Sequence, residues 1–227
     1  MAVQTVVTSE MGKAIAAAYG VEMIETLTGF KYIGEQIRER VDTGRNVFLF
    51  GFEESYGYLA GDFVRDKDGV QASQLVAEMA AYYKNRQMSL LDALEQLFLT
   101  HGYFREELIN LELAEGELSR VEQVMHQLRT TSLLALDGMA IIRTDDYLQQ
   151  LSTDINGKQT PTGLPRNNTL KYTLQDFSWF CIRPSGTEPK IKIYLSARGD
   201  NAASTAIQLA TLKAKVLTLL QEGPLFL

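Results

Sequence analysis

Short β-branched or apolar runs alternate with amphipathic stretches through the first hundred residues. Residues 3–8 (VQTVVT) are short and β-branched, which predicts a strand. Thr8 and Ser9 then offer capping oxygens to the helical run EMGKAIAAAY, and Gly20 suits the position just after that helix. Residues 21–27 read as a second strand, and Thr28-Gly29 as a turn. Ile33, Ile37 and Val41, at i, i+4 and i+8, predict a helix over 31–41. The apolar run NVFLF (46–50) reads as a strand buried on both faces. Residues 51–69 are rich in glycine, acidic and aromatic residues, without helical periodicity, and predict a long loop of the kind that often carries function. Helices are predicted at about 71–86 and 90–99, the second with Ser89 and Asp92 set as a capping box. The Tyr82-Tyr83 pair and the apolar stripes of these helices are expected to pack into a core.

After His101-Gly102 the pattern changes. Strands are predicted at 104–113 and 135–143, around a helix at 117–129. A polar stretch with Asn156-Gly157, Pro161, Gly163 and Pro165 interrupts the chain. Strands at 179–183 and 190–197 flank the turn PSGTEP, and a last helix, 202–221, stops at Gly223-Pro224. The expected fold is therefore α/β: a three-layer domain with a mainly parallel sheet over 1–102, then a smaller α+β domain with an antiparallel sheet over 103–227.

Composition narrows the function classes. The 227 residues carry 22 Lys+Arg and 28 Asp+Glu, a net charge of −6, with 45% hydrophobic residues. That is too apolar for a disordered chain and too acidic for general nucleic-acid binding. No run nears the ~20 apolar residues of a membrane span, and no secretory signal opens the chain, so neither nucleic acid nor membrane is expected as a partner. One cysteine cannot close an internal disulfide, and a cytoplasmic protein is expected.

Three stretches could carry chemistry. In Arg183-Pro184-Ser185-Gly186-Thr187-Glu188-Pro189-Lys190, a hydroxyl residue on each side of a glycine can turn N–H and O–H groups toward one point, with a cation at each end. Such a nest suits a phosphate; a plain hairpin is the alternative. The acidic turn Gly51-Phe52-Glu53-Glu54-Ser55-Tyr56-Gly57 follows a strand, at a sheet edge where α/β domains bind ligands. Its carboxylates could accept sugar hydroxyls, hold a metal, do acid–base work, or simply face solvent. Arg65-Asp66-Lys67-Asp68-Gly69 hints at a calcium loop, but aligning Gly69 with the EF-hand glycine places Val64 and Leu75 at the end ligand positions, so that idea fails. Lys67 remains as a ligand for an anion, or as part of a charged turn. His101 and His126 are not at metal-ligand spacing, and Cys181, in WFCIR, reads as a buried small hydrophobe. No Walker, dinucleotide or nucleophile-elbow motif occurs.

TLTGFKYIGEQI (26–37), GFEESYGYLAGDFVRDKDG (51–69) and RPSGTEPKIKIYL (183–195) resemble, in order, three segments of the α-D-phosphohexomutase superfamily, of the phosphoglucomutase type. The resemblance covers the second half of a four-domain architecture, without the opening of the third domain. It implies that Thr28, Gly29, Glu53, Ser55 and Lys67 bind the sugar in the third domain, and that Arg183, Ser185, Gly186, Thr187 and Lys190 bind phosphate in the fourth. It also implies a phosphosugar substrate and an isomerase. That enzyme interconverts glucose 1-phosphate and glucose 6-phosphate through a phosphoserine, with glucose 1,6-bisphosphate as intermediate and activator. Its catalytic serine loop and its D-G-D-x-D-R magnesium loop match nothing in this sequence; Asp145-Asp146 is the nearest carboxylate run. No catalytic residue and no metal ligand is therefore expected in this chain. Mg²⁺ and the N-terminal domains of the same enzyme are the implied partners, and the chain alone is expected to be inactive. A phosphomannomutase or phosphopentomutase fragment, a non-catalytic phosphosugar-binding module and an interaction domain remain alternatives.

Overall fold

A computed structural model describes residues 1–112, 118–185 and 190–222. The chain divides into two compact units, Met1–Gly102 and Tyr103–Leu227. The architecture is mixed α/β, with a mainly parallel sheet in the first unit and a larger antiparallel sheet in the second. The second unit is the larger of the two, against the expectation of a smaller one.

The first unit is built on a four-stranded sheet in the order β2-β1-β3-β4. β1 (Ala2–Thr5) runs parallel to β2 (Met23–Thr26) and β3 (Phe50–Phe52), and β4 (Tyr58–Ala60) is antiparallel to β3. Between β1 and β2 lies α1 (Glu10–Ala18), capped by Ser9, whose hydroxyl accepts the Met11 N–H; Gly20 follows with φ +64°. Between β2 and β3 lies α2 (Phe30–Gln36), which passes into a π-helical turn at Ile37–Val41. Apolar residues four apart drift around a 3.6-residue helix. The wider i→i+5 turn keeps Val41 packed on the core with Ile33 and Ile37, both fully buried.

Residues 46–49 are not the buried strand that their apolarity predicts. Phe48 is buried, but Val47 is 73% exposed and Leu49 51%. They run beside Met1, the Leu49 N–H donating to the Met1 carbonyl, and the ladder begins only at Phe50. The stretch 51–69 expected as one loop opens with a hairpin, β3–β4, closed by the Glu53 N–H donating to the Gly57 carbonyl at 2.9 Å; residues 61–68 are irregular, as expected. α3 (Gly69–Lys84) and α4 (Leu90–His101) follow, with the Ser89–Asp92 capping box formed. α3 buries none of its residues, so the expected core role of Tyr82 is wrong; it is 52% exposed and stacks the Arg86 guanidinium at 3.4 Å.

The second unit opens with β5 (Tyr103–Glu112) and α5 (Leu118–Thr130). The predicted strand 135–143 is a hairpin, β6 (Ala135–Leu136) and β7 (Met139–Asp146), turning at Asp137-Gly138 with positive φ at both residues. The polar stretch that seemed to interrupt the chain contains β8 (Leu151–Asp154) and β9 (Gln159–Pro161), and β10 (Leu170–Leu174) was also missed. β11 (Trp179–Pro184), β12 (Lys190–Gly199) and α6 (Ala202–Glu222) complete the unit. The sheet order is β5-β12-β11-β10-β7-β8-β9, with β6 paired to β7. One face is covered by α5 (Val121, Val124, Met125, Leu128) and α6 (Leu209, Leu212, Val216, Leu220), packed on Tyr172, Phe180, Ile182, Ile193 and Leu195. Cys181, as expected, is fully buried. The stop at 223–224 lies outside the described residues.

Candidate functional site

In a parallel sheet the connections leaving the carboxyl ends of the strands gather at one edge. Three of them meet in the first unit. After β2 comes Thr28-Gly29; Gly29 takes φ +119°, a conformation open to glycine, and leads into α2. Thr5 ends β1 and Thr8 follows it, their hydroxyls 2.8 Å apart. After β3 comes the acidic turn. Its Glu53 carboxylate, only 8% exposed, accepts the Gly29 N–H on Oε1 at 2.8 Å. Glu54 reaches the other way and accepts the Thr5 hydroxyl on Oε2 at 2.8 Å.

Glu53 is thus held in a narrow cradle. A Cβ on Gly57 would lie 2.9 Å from Glu53 Oε2, 2.9 Å from Lys67 Cδ and 3.3 Å from Phe30 Cδ2. A side chain at Gly57 would therefore have to displace Glu53 or Lys67. Lys67 is exposed; its ammonium donates to Asp66 Oδ1 at 2.9 Å and lies 5.5 Å from the centre of the Phe30 ring. Its pKa is raised, chiefly by that bond to Asp66, so it stays cationic beside the turn. Ser55 is exposed on the turn, and Tyr56 beside it holds φ +63°.

Electrostatics single out Glu53. Burial raises its pKa above the ordinary carboxylate value, and the Gly29 N–H opposes that rise. The neighbouring Glu54 charge pushes it further up, and Lys67 pulls it down. The result is a largely desolvated carboxylate that gains from any further donor, and sugar hydroxyls are such donors.

Of the sequence-predicted residues, Gly29, Glu53 and Lys67 come together, with Thr28 and Ser55 adjoining them. Gly57, Phe30 and Thr5 had no separate role in the sequence reading. Gly57 could have been found as a glycine two residues past Ser55; the Thr5 contact joins positions 49 apart and has no local signal.

In the second unit Arg183 and Lys190 sit at the facing ends of β11 and β12, where Arg183 pairs with Lys192 and Pro184 with Ile191. The Ser185 N–H donates to the Lys190 carbonyl at 2.8 Å, closing the hairpin base. Strand alternation puts Arg183 on the face opposite Ile182 and the helices. Gly186 and Thr187 lie outside the described residues.

The carboxylates of Asp145 and Asp146 are already engaged. Asp145 is bonded by Arg143 at 2.8 Å; both oxygens of Asp146 meet the Arg129 Nε, at 3.1 and 3.3 Å. Among the described residues no group of three or more His, Cys, Asp or Glu side chains is placed to hold a metal ion. No helix among them is long and apolar enough to cross a membrane.

Comparison with known proteins gives a consistent result. Residues 1–99 match the family model for phosphoglucomutase/phosphomannomutase, alpha/beta/alpha domain III, and residues 108–214 match that for the phosphoglucomutase/phosphomannomutase C-terminal domain. A phosphoglucomutase of Staphylococcus haemolyticus is 37% identical over 203 residues, 88% of this chain and 36% of that protein. One from a bovine strain of Staphylococcus aureus is 38% identical over 205 residues, again 36% of its length. The chain thus spans a little over a third of the curated relatives it matches. Among solved structures, the Paramecium phosphoglucomutase pp63/parafusin in its open form aligns over 96% of this chain and 36% of its own, with TM-score 0.66 at 23% identity. A phosphoglucomutase/phosphomannomutase family protein of Burkholderia thailandensis aligns over 98% and 38%, with TM-score 0.52 at 16% identity. These two likenesses concern the fold.

Proposed function

As the chain belongs to the phosphoglucomutase/phosphomannomutase family, we propose that it supplies the sugar-binding and phosphate-binding groups of a phosphoglucomutase-type isomerase. The observation that carries this reading is the buried Glu53 carboxylate, pinned by the Gly29 N–H at the carboxyl edge of a parallel sheet with Lys67 beside it. Glu53 and Ser55 accept and donate to hexose hydroxyls, Thr28 and Gly29 shape the pocket wall, and Lys67 attracts the anionic substrate. In the second unit Arg183, Ser185 and Lys190, with Gly186 and Thr187, hold a phosphate.

The division of labour follows from the reaction. Glucose 1-phosphate and glucose 6-phosphate are interconverted through the 1,6-bisphosphate, so a phosphate that is not reacting must be held at one place in either orientation of the sugar. Carboxylate and hydroxyl acceptors for the sugar, and a separate cationic loop for the phosphate, meet that demand. Binding energy gained there can be spent on the barrier at the distant reacting phosphate.

Phosphoryl transfer also needs a donor and neutralisation of the charge in transit. The sequence has neither the serine loop nor the D-G-D-x-D-R loop of the family. Asp145 and Asp146, tied to Arg143 and Arg129, do not fit a magnesium site. We therefore assign Mg²⁺ and the phosphoserine to the part of a full-length enzyme outside this chain, and expect the 227-residue chain to bind without turnover. Calorimetry with glucose 1-phosphate tests the reading. Charge-assisted hydrogen bonds of about 1.5–3 kcal/mol each, less the cost of association, give millimolar binding. Glu53→Ala and Arg183→Ala should each weaken it. Wild-type binding unaffected by both substitutions, or mutase turnover by the pure chain with Mg²⁺ and glucose 1,6-bisphosphate, would contradict it.

A further inference from the structure

The two carboxylates after β3 are fastened in opposite directions. Glu53 takes the Gly29 N–H in the turn after β2, and Glu54 takes the Thr5 hydroxyl at the end of β1. With the strands ordered β2-β1-β3, this one turn ties together the carboxyl ends of all three parallel strands. The anchor is rigid. Thr5 is fully buried, its hydroxyl also meets Thr8 Oγ1 at 2.8 Å, and the Thr8 N–H donates to the Thr5 carbonyl at 3.0 Å.

We propose that Glu54 is a positioning residue: held on Thr5, it fixes the turn so that the Glu53 carboxylate stays on Gly29, available to sugar hydroxyls. This rests on the functional reading above. A turn closed by one backbone hydrogen bond can still rock about its strand ends, carrying the Glu53 carboxylate off Gly29. The Glu54–Thr5 bond holds the β1 side of the turn as the Glu53–Gly29 bond holds its β2 side, so losing the first loosens the second. The hydrogen bond from the Glu53 N–H to Gly57 closes the turn but does not set where either side chain points. Ser55 and Tyr56, both exposed, add no hold.

The test compares variants of the full chain in two readouts. One is the Gly29 amide shift in the free protein, which senses the bond to Glu53 and needs no ligand. The other is the dissociation constant for glucose 1-phosphate. Glu54→Ala removes both the charge and the bond to Thr5; Glu54→Gln removes the charge and leaves an acceptor. Thr5→Val removes the donor, and Thr5→Ser keeps it. The expected result is a displaced Gly29 amide and about tenfold weaker binding in Glu54→Ala and Thr5→Val, the loss of roughly one charged hydrogen bond. Glu54→Gln and Thr5→Ser should stay near wild type in both. Should the buried Thr5→Val fail to fold, the Glu54 pair alone decides. Equal behaviour of Glu54→Ala and Glu54→Gln, or an unmoved Gly29 amide in Glu54→Ala, would overturn the proposal. A wild-type chain that binds no glucose 1-phosphate would instead overturn the functional reading, while the Gly29 amide would still decide the positioning role.

Discussion

Replacing Gly34 by alanine sets two effects against each other. Gly34 is a buried residue of α2, and Gly→Ala inside a helix ordinarily gains about 1 kcal/mol. Here the new Cβ would stand 2.6 Å from the Arg65 carbonyl oxygen and 3.5 Å from Arg65 Cβ. Such a contact with backbone cannot be relieved by rotating a side chain. Either α2 lifts from the core, where Ile33 and Ile37 are fully buried, or residues 62–66 move. Overpacking of this kind costs about 1–3 kcal/mol, typically more than the helix gain. We expect a net loss of about 1 kcal/mol in the first unit, or several degrees in Tm for a unit of this size. Because Arg65 precedes Asp66 and Lys67, the same shift should weaken sugar-phosphate binding. Trp179, the sole tryptophan, lies in the second unit and does not report on this change. Hydrogen exchange at the Val6 amide, bonded to the Thr26 carbonyl between β1 and β2, does. Gly69→Ala is the control: it too lies in a helix, but nothing stands within 4 Å of its added Cβ, and it should be neutral or slightly stabilising. A Gly34→Ala chain as protected as wild type would refute the reasoning.

Three further outcomes follow from the charges. Glu53 has a raised folded-state pKa, so between its ordinary value and the raised one the folded state binds more proton than the unfolded state, and stability falls as pH rises through that window. Glu53→Gln should therefore be more stable than wild type at neutral pH, with the difference vanishing below the ordinary carboxylate range; sugar binding by the wild type should fade as pH drops through the raised value, and pH-dependent urea melts with parallel calorimetry check both. Arg129→Leu strips the cation from Asp146, both side chains being mostly buried, and leaves it only the Leu148 and Gln149 N–H donors; it should cost the second unit about 3 kcal/mol, read by Trp179 fluorescence in urea.

Local signals made much of the fold legible. The Ser9 and Ser89 caps, Gly20 after α1 and the Ile33–Ile37 stripe were all in the sequence, and each is where its local chemistry puts it. The polar strands were not. β9 is exposed along its whole length and β8 only partly buried, so neither shows the alternation that marks a strand; pairing of β8 with β7 and of β9 with β8 holds them, and pairing is not written in local pattern. The Asp137-Gly138 turn did carry a hairpin signal, overridden by the apolar run on both sides of it. NVFLF misled because apolarity was equated with burial. In the candidate site the residue types were readable, but the Glu53–Gly29 and Glu54–Thr5 contacts join positions 24 and 49 apart and needed the fold. Gly186 and Thr187 lie outside the described residues.

The most direct test of the central claim is an amide NMR titration of the full chain with glucose, with inorganic phosphate and with glucose 1-phosphate. The account predicts that glucose moves Gly29, Glu53 and Ser55, that phosphate moves Arg183 and Ser185, and that glucose 1-phosphate moves both sets. Phosphate shifting the amides around Glu53 while Arg183 and Ser185 stay still, or glucose 1-phosphate moving neither set, would contradict it.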